Sequence, residues 1–315
     1  MNKKRCPFCS DCLRKNGRDA KGKQRWLCPS CGRSSRWRTK ATNWQENEWF
    51  RLWVVEGYSA RQLANQSEYS LRKLYRMIND QLKKEVPSPV LSLGQYRHFI
   101  FDGTFLHRPH GLVALMDACT HTLVAGKYGV SESSQPQLEL FFEYLISAGL
   151  KPTSFTVDGN PNVIKVLRKL WPEITIQRCL VHIQRQGLSW CRSFPKTTYA
   201  SKLRKIFHQV TRIHTLADRD KFLEAVIEWE SKYGTMINDR HETGYVFSDI
   251  KRARSMLIRA LPDMFHYLDD PLIPIPTNGL EGYFSRLKNH YRQHRGLRKE
   301  KRPDYFRWYF YYVPK

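Results

Sequence analysis

The sequence predicts an α/β protein preceded by two small modules, on three observations. Two C-x-x-C pairs lie within residues 1–42, three helical segments fill 43–88, and from 95 onward strand patterns alternate with helical ones. Composition permits this organisation. The 315 residues suffice for two or three modules, and a hydrophobic content of 41% supports a buried core. Lys and Arg number 53 against 29 Asp and Glu, a formal charge of +24, which makes nucleic acid the first candidate partner. A membrane surface also attracts basic chains, but there is no basic amphipathic anchor and no apolar run approaching about 18 residues. The chain opens on Lys3, Lys4 and Arg5 rather than an apolar leader, which predicts a reducing cytoplasm where cysteines bind metal or stay free.

Cys6-Pro7-Phe8-Cys9 and Cys28-Pro29-Ser30-Cys31 are separated by 18 residues, the spacing of a zinc ribbon. Each pair turns two thiolates toward one ion, and one structural Zn2+ then holds together a module too small for a sufficient core. Cys9-x-x-Cys12 is an alternative first pair; Cys6 and Cys9 are preferred because Cys-Pro-x-Cys then recurs. Thirteen Lys and Arg from Lys3 to Lys40, among them Lys21, Arg36 and Arg38, face only Asp11 and Asp19, a surface suited to phosphates.

Residues 43–88 predict helix, turn, helix, turn, helix. Asn43 caps the first helix with Glu46 three residues on, and Gly57 ends it. Ser59 caps the second. Ser70 caps the third, whose Leu71, Leu74, Tyr75 and Ile78 follow i, i+3, i+4, i+7. Its other face offers Arg72, Lys73 and Arg76 to a DNA major groove, the geometry of a helix-turn-helix domain; the bland alternative is a helical linker with a solvated basic face. Pro87-Ser88-Pro89 marks the hinge into the next domain.

Beyond it, Tyr96 to Leu106, Gly111 to Cys119 and Leu123 to Val130 read as a strand meander. Gln135 to Gly149 reads as a helix with Leu138, Phe141, Phe142, Leu145 and Ile146 on one face. A fourth strand ending at Asp158, a helix over Asn162 to Leu170 and a fifth strand over Ile174 to Ile176 complete the order. Three antiparallel strands, helix, strand, helix, strand is the order of a ribonuclease-H-like core, here residues 95–184 and 271–315. Residues 185–270 break it with helical periods, such as Phe222, Leu223, Val226 and Ile227, and predict an all-helical insertion.

Three acids stand at telling places in this frame. Asp102 lies in Phe101-Asp102-Gly103-Thr104 on the first strand, Asp158 in Val157-Asp158-Gly159 at the end of the fourth, and Glu281 in Thr277-Asn278-Gly279-Leu280-Glu281 at the mouth of a helix. Three carboxylates at one point on a basic chain predict two divalent ions, Mg2+ or Mn2+, acting on a DNA phosphodiester. Each acid also has a bland reading: turn or strand-end aspartates before Gly103 and Gly159, and a capping box from Asn278 to Glu281. Asp117 and Glu132 lie near strand ends and read as bystanders, Asp117 being the nearer to a role.

Asp102-Gly103-Thr104, Val157-Asp158-Gly159, Arg178-Cys179-Leu180-Val181-His182 and Thr277-Asn278-x-x-Glu281 with a basic helix together resemble the Mutator-like DDE transposases of bacterial insertion sequences, in the zinc-ribbon variant. The resemblance spans residues 96–300. It implies a polynucleotidyl transferase of the bacterial cytosol and nucleoid that binds the terminal inverted repeats of its element. Working as a homodimer or higher oligomer, such an enzyme cuts and joins DNA strands with two metal ions. It further implies catalytic or structural roles for Cys179 and His182 beside the acids, the imidazole contacting a phosphate or orienting water. A second zinc there would need two more ligands, which nothing nearby supplies.

Past Glu281, Arg286, Lys288, Arg292 and Arg295 form a basic track leading DNA toward the acids. The closing Phe306 to Tyr312 cluster reads as packing on the core rather than as a platform for unpaired bases. Two rival functions fit the same sequence: a non-catalytic DNA-binding regulator on an inherited fold, and a structure-specific metal nuclease.

Overall fold

The computed structural model describes residues 4–6, 9–20, 22–36, 40–87, 93–107, 110–239 and 245–314. Pro7, Phe8, Lys3, Lys21, Arg38, Ser88 and Pro89 lie outside the described residues, as do the side chains of Arg36, Lys40 and Asn43. The chain forms two compact units, Met1–Gln81 and Leu82–Lys315.

In the first unit β1 (Arg14–Arg18), β2 (Gln24–Leu27) and β3 (Ser34–Arg36) make an antiparallel sheet in that order. Its described side chains are exposed or half-buried, so apolar burial alone does not hold it. Three helices follow: α1 (Lys40–Val55), α2 (Ala60–Gln66) and α3 (Leu71–Leu82). Ser59 and Gln62 form a reciprocal capping box at α2, with Ser59 N donating to Gln62 Oε1 at 2.8 Å. At α3, Ser70 Oγ accepts from Lys73 N at 3.3 Å. The helix α1 starts at Lys40, so Asn43 lies inside it and is not its cap. Phe50, Trp53, Val54, Leu63, Leu74, Met77 and Ile78 are buried. Tyr75 is exposed, because the buried stripe runs through Leu74, Met77, Ile78 and Gln81 and passes it by.

In the second unit β4 (His98–His107), β5 (His110–Asp117) and β6 (Leu123–Tyr128) are antiparallel neighbours. After α4 (Gln135–Ser147) the strand β7 (Ser154–Val157) joins β4 in parallel. After α5 (Pro161–Leu170) β8 (Thr175–Arg178) joins β7, giving a mixed five-stranded sheet of order β6-β5-β4-β7-β8. The helices are crossovers that parallel pairing requires. Phe99, Phe101, Val113, Leu115 and Phe155 share one core with Leu138, Phe142 and Leu145 of α4 and Val163, Val166 and Leu167 of α5. Each such side chain contributes roughly 1.5–3 kcal/mol on burial. Ile146 is outside this face, 38% exposed, one 100° step beyond Leu145.

A helical stretch follows: α6 (Leu180–Cys191), α7 (Thr198–Gln209), α8 (Leu216–Asp239) and α9 (Tyr245–Ala260). It has its own core of Ile183, Leu203, Phe207, Phe222, Val226, Trp229, Ile250 and Leu257. Ile227 is exposed, and Trp229 rather than it faces inward. The chain then returns to the sheet. Arg168 of α5 forks onto Asp263 at 2.8 and 3.0 Å, Gln177 Nε2 donates to Met264 O, and Thr156 Oγ1 donates to Pro274 O at 2.8 Å. These bonds set down α10 (Asn278–Tyr291), followed by α11 (Arg302–Tyr312), whose Phe306 stacks on Tyr128 of β6 at 4.8 Å. The closing aromatic cluster is therefore core packing: Phe306, Trp308 and Tyr309 are buried. Among the described residues no helix is long and apolar enough to cross a membrane.

Candidate functional site

The sulfurs of Cys6, Cys9, Cys28 and Cys31 all lie within 4.8 Å of one another. The two knuckles have one local fold, since Ser10 N donates to Cys6 O at 2.9 Å and Gly32 N to Cys28 O at 3.0 Å. Cys9 and Cys28 Sγ stand 3.3 Å apart, and Cys6 and Cys31 Sγ 3.7 Å. Four thiols so close repel as thiolates, and together they could bind a zinc ion. The backbone N–H of Cys31 leads the forces that hold the Cys28 thiol below its ordinary value, whereas Cys9 and Cys31 are raised, so the sulfurs compete for charge as one group. Cys12 is exposed and stands outside the cluster.

In the second unit Ile100 of β4 pairs with Thr156 of β7 in parallel, so Asp102 and Asp158, each two residues on, reach the same level of the sheet. Asp102 is buried and accepts from Gly103 N at 2.8 Å; Asp158 accepts from Asn160 N at 2.9 Å. Between them comes an acid that sequence reasoning set aside. Glu132, in the turn between β6 and α4, offers an oxygen that lies with those of Asp102 and Asp158 inside a mutual 4.8 Å. Glu281 stands outside this group. Its Oε1 is 3.2 Å from His182 Nε2 and 3.3 Å from Arg185 Nη1. The capping box is absent, because Thr277 is the N-cap and makes no side-chain cap bond. Glycine at 279 lets the mouth of α10 come down on the sheet: a Cβ there would meet Met116 Sδ at 2.9 Å.

Cys179, His182 and Thr277 form one network beside the acids. Thr277 donates from N and from Oγ1 to Cys179 Sγ at 3.4 and 3.5 Å, and Thr277 Oγ1 meets His182 Nδ1 at 3.3 Å. The hydrogen bond with Cys179 leads in raising His182 to about 9, aided by the charges of Cys179, Asp102 and Asp158. Burial opposes ionisation of Cys179, yet the bonds from His182 and Thr277 hold it below the usual thiol value. At neutral pH this favours an imidazolium whose Nδ1 side faces Cys179 and Thr277 and whose Nε2 faces Glu281.

Burial and the neighbouring Asp158 raise Asp102 to about 7, and burial with the charges of Asp158 and Asp102 raises Glu132 to about 8. Both exceed the ordinary carboxyl value of about 4, so the folded state binds more protons across that window and metal-free stability falls as pH rises from about 4 to about 8. We expect the Tm of the second unit, in magnesium-free buffer, to drop between pH 5 and pH 8, and saturating Mg2+ to flatten the drop. A pH-independent Tm would contradict this electrostatic picture.

Asp117 is a turn residue, accepting from Thr120 N and Oγ1 at 2.7 Å each. Arg185, unmarked in the sequence reading, lies three residues after His182 on α6; that i, i+3 basic pair was the available signal. Glu132 had no local signal. Of the basic residues, Arg72 and Arg76 on α3 are exposed, whereas Lys73 sits over the Tyr69 ring at 3.2 Å and 3.9 Å from Glu46. Arg286, Lys288, Arg292 and Arg295 are all exposed at and beyond α10.

Residues 124–257 match the sequence model of the transposases of the Mutator family, which bears out the resemblance to that family over this stretch; the Asp102 and Glu281 motifs lie outside it. The matched stretch includes Glu132, Asp158, Cys179 and His182. Among curated proteins none matches the chain.

Proposed function

We propose that this chain, a Mutator-like transposase by its matched segment, is a DNA strand transferase built on a ribonuclease-H-like core. Residues 1–42 act as a zinc ribbon and 43–88 as a helix-turn-helix domain; together they bind the terminal repeats of an element. The observation that carries this reading is the levelling of Asp102 and Asp158 on neighbouring parallel strands, with further acid alongside, in and around a transposase-matched segment.

The residues present fit divalent metal. Their donors are hard carboxylate oxygens at ligand-sharing distances, and Glu132 Oε1 is buried with no hydrogen-bond partner among the described residues. Asp102 and Asp158 would hold the ions, and Glu281 would complete the second position. Bound there, the ions supply positive charge to the attacking and leaving oxygens of an in-line displacement. His182, with Nε2 3.2 Å from Glu281 Oε1, is placed to donate to that carboxylate or to a phosphate. Arg185 adds a second cation beside Glu281, and the exposed Arg286, Lys288, Arg292 and Arg295 carry the DNA backbone toward it.

Water attacks the phosphorus at the element end, breaking the P–O3′ bond and freeing a 3′ hydroxyl. That hydroxyl then attacks a target phosphodiester, whose own 3′ oxygen leaves with a proton. The test is a labelled duplex carrying the repeats that flank the gene, incubated with the protein and Mg2+ or Mn2+. Cleavage at the repeat boundary followed by joining is the expected result. Cutting without joining, governed by branched structure, would make the chain a nuclease, and specific binding with no cut would make it a regulator.

A further inference from the structure

We propose that Glu132 is a ligand of the divalent ion shared by Asp102 and Asp158, so that the centre has four acids rather than three. The inference rests on the metal reading above and adds a residue that the sequence motifs leave out. Three features carry it. The oxygens of Asp102, Glu132 and Asp158 lie within 4.8 Å of one another, a spread that one six-coordinate ion spans, whereas Glu281 is engaged by His182 and Arg185. Glu132 Oε1 is buried with no hydrogen-bond partner among the described residues, a costly state for a carboxylate unless a cation or proton joins it.

The third feature is a place built for this side chain. A Cβ on residue 103 would lie 2.5 Å from Glu132 Cδ and 2.6 Å from Oε2, so the carboxylate in this position fills the space a side chain after Asp102 would take. The turn bearing Glu132 is also pinned. Ser134 N donates to Ser131 O at 3.0 Å, Ser131 N to Gln137 Oε1 at 2.9 Å, and Asn162 Nδ2 to Ser133 O at 3.4 Å. Gln135 Nε2 donates to Asn162 Oδ1 at 2.8 Å, tying the turn to the start of α5, four residues past Asp158. Rigid second-sphere support of this kind is what a metal ligand requires.

The test is Mn2+ binding to the zinc-loaded full chain, read from the paramagnetic resonance of free Mn2+; this hard ion does not displace thiolate-bound zinc. Wild type, Glu132→Gln, Gly103→Ala and Asp158→Asn are compared. Glu132→Gln and Gly103→Ala are expected to weaken the tightest Mn2+ at least about tenfold, the lower range for disturbing even outer-sphere partners. Glu132→Gln keeps the side chain's shape while removing an acid from the crowded group, so its metal-free Tm should match or exceed wild type while the Tm rise on adding Mn2+ shrinks. That pairing separates ligand loss from misfolding. Wild-type Mn2+ affinity in Glu132→Gln, with affinity lost in Asp158→Asn, overturns the role of Glu132 and leaves the metal centre standing. Equal, negligible binding in wild type and Asp158→Asn overturns both.

Discussion

Replacing Asp102 or Asp158 by alanine is expected to lower strand cleavage at least about 10³-fold, some 4 kcal/mol of transition-state stabilisation, while binding to element ends stays near wild type. On the proposed metal reading, removing one of them would leave the ion with fewer hard oxygens where charge develops on the attacked phosphate. The two aspartates sit level on β4 and β7, far in sequence from α3, so their loss should not disturb end recognition. Glu281→Ala belongs to the same series, with one added consequence: His182 and Arg185 lose their carboxylate partner. Gel-based cleavage and shift assays on the same duplex separate the two effects. A variant that still cuts removes its residue from the centre.

Cys28→Ser should act in the opposite sense, weakening end binding at least about tenfold while leaving the divalent-ion dependence of cleavage on unspecific DNA unchanged. Cys28 is buried in the four-sulfur cluster, 3.3 Å from Cys9 Sγ, and the small sheet beside it has little apolar cover. If the cluster holds zinc as proposed, losing the ion would loosen this small sheet and disorder its basic residues. Zinc content by atomic absorption should fall from one per chain to none. Unchanged end binding would separate the ribbon from DNA recognition, and Cys12→Ser, outside the cluster, should behave as wild type.

The parts legible in the sequence were those written locally. The C-x-x-C knuckles, Ser59 as a helix cap, and the strand runs that end in Asp102-Gly103 and Asp158-Gly159 each carry their meaning within a few residues. So does Cys179-x-x-His182, because a helix turn brings both to one side of α6, where Thr277 meets them. Helix faces were legible to within one position. Tyr75, Ile146 and Ile227 fit an apolar period but fall at the edge of a stripe, where the partner surface decides which side chain turns inward. Glu132 was illegible for a different reason. Its neighbour is Gly103, brought to it by the register of β4 on β5 and β5 on β6, and a turn acid before a helix looks like any solvated loop residue. The engagement of Glu281 by Arg185 likewise depends on how α10 returns to α6 after the helical stretch.

The measurement closest to the central claim is a metal switch at Asp158, assayed on the labelled element end. Asp158→Cys replaces a hard oxygen ligand by a soft sulfur, which Mg2+ rejects and Mn2+ tolerates better. The account predicts no cleavage or joining by Asp158→Cys in Mg2+ and partial return of both in Mn2+, with Asp158→Ala inactive in either ion. Full activity of Asp158→Cys in Mg2+, or equal inactivity of both variants in Mn2+ while wild type cuts, would contradict a metal held by this carboxylate during the reaction.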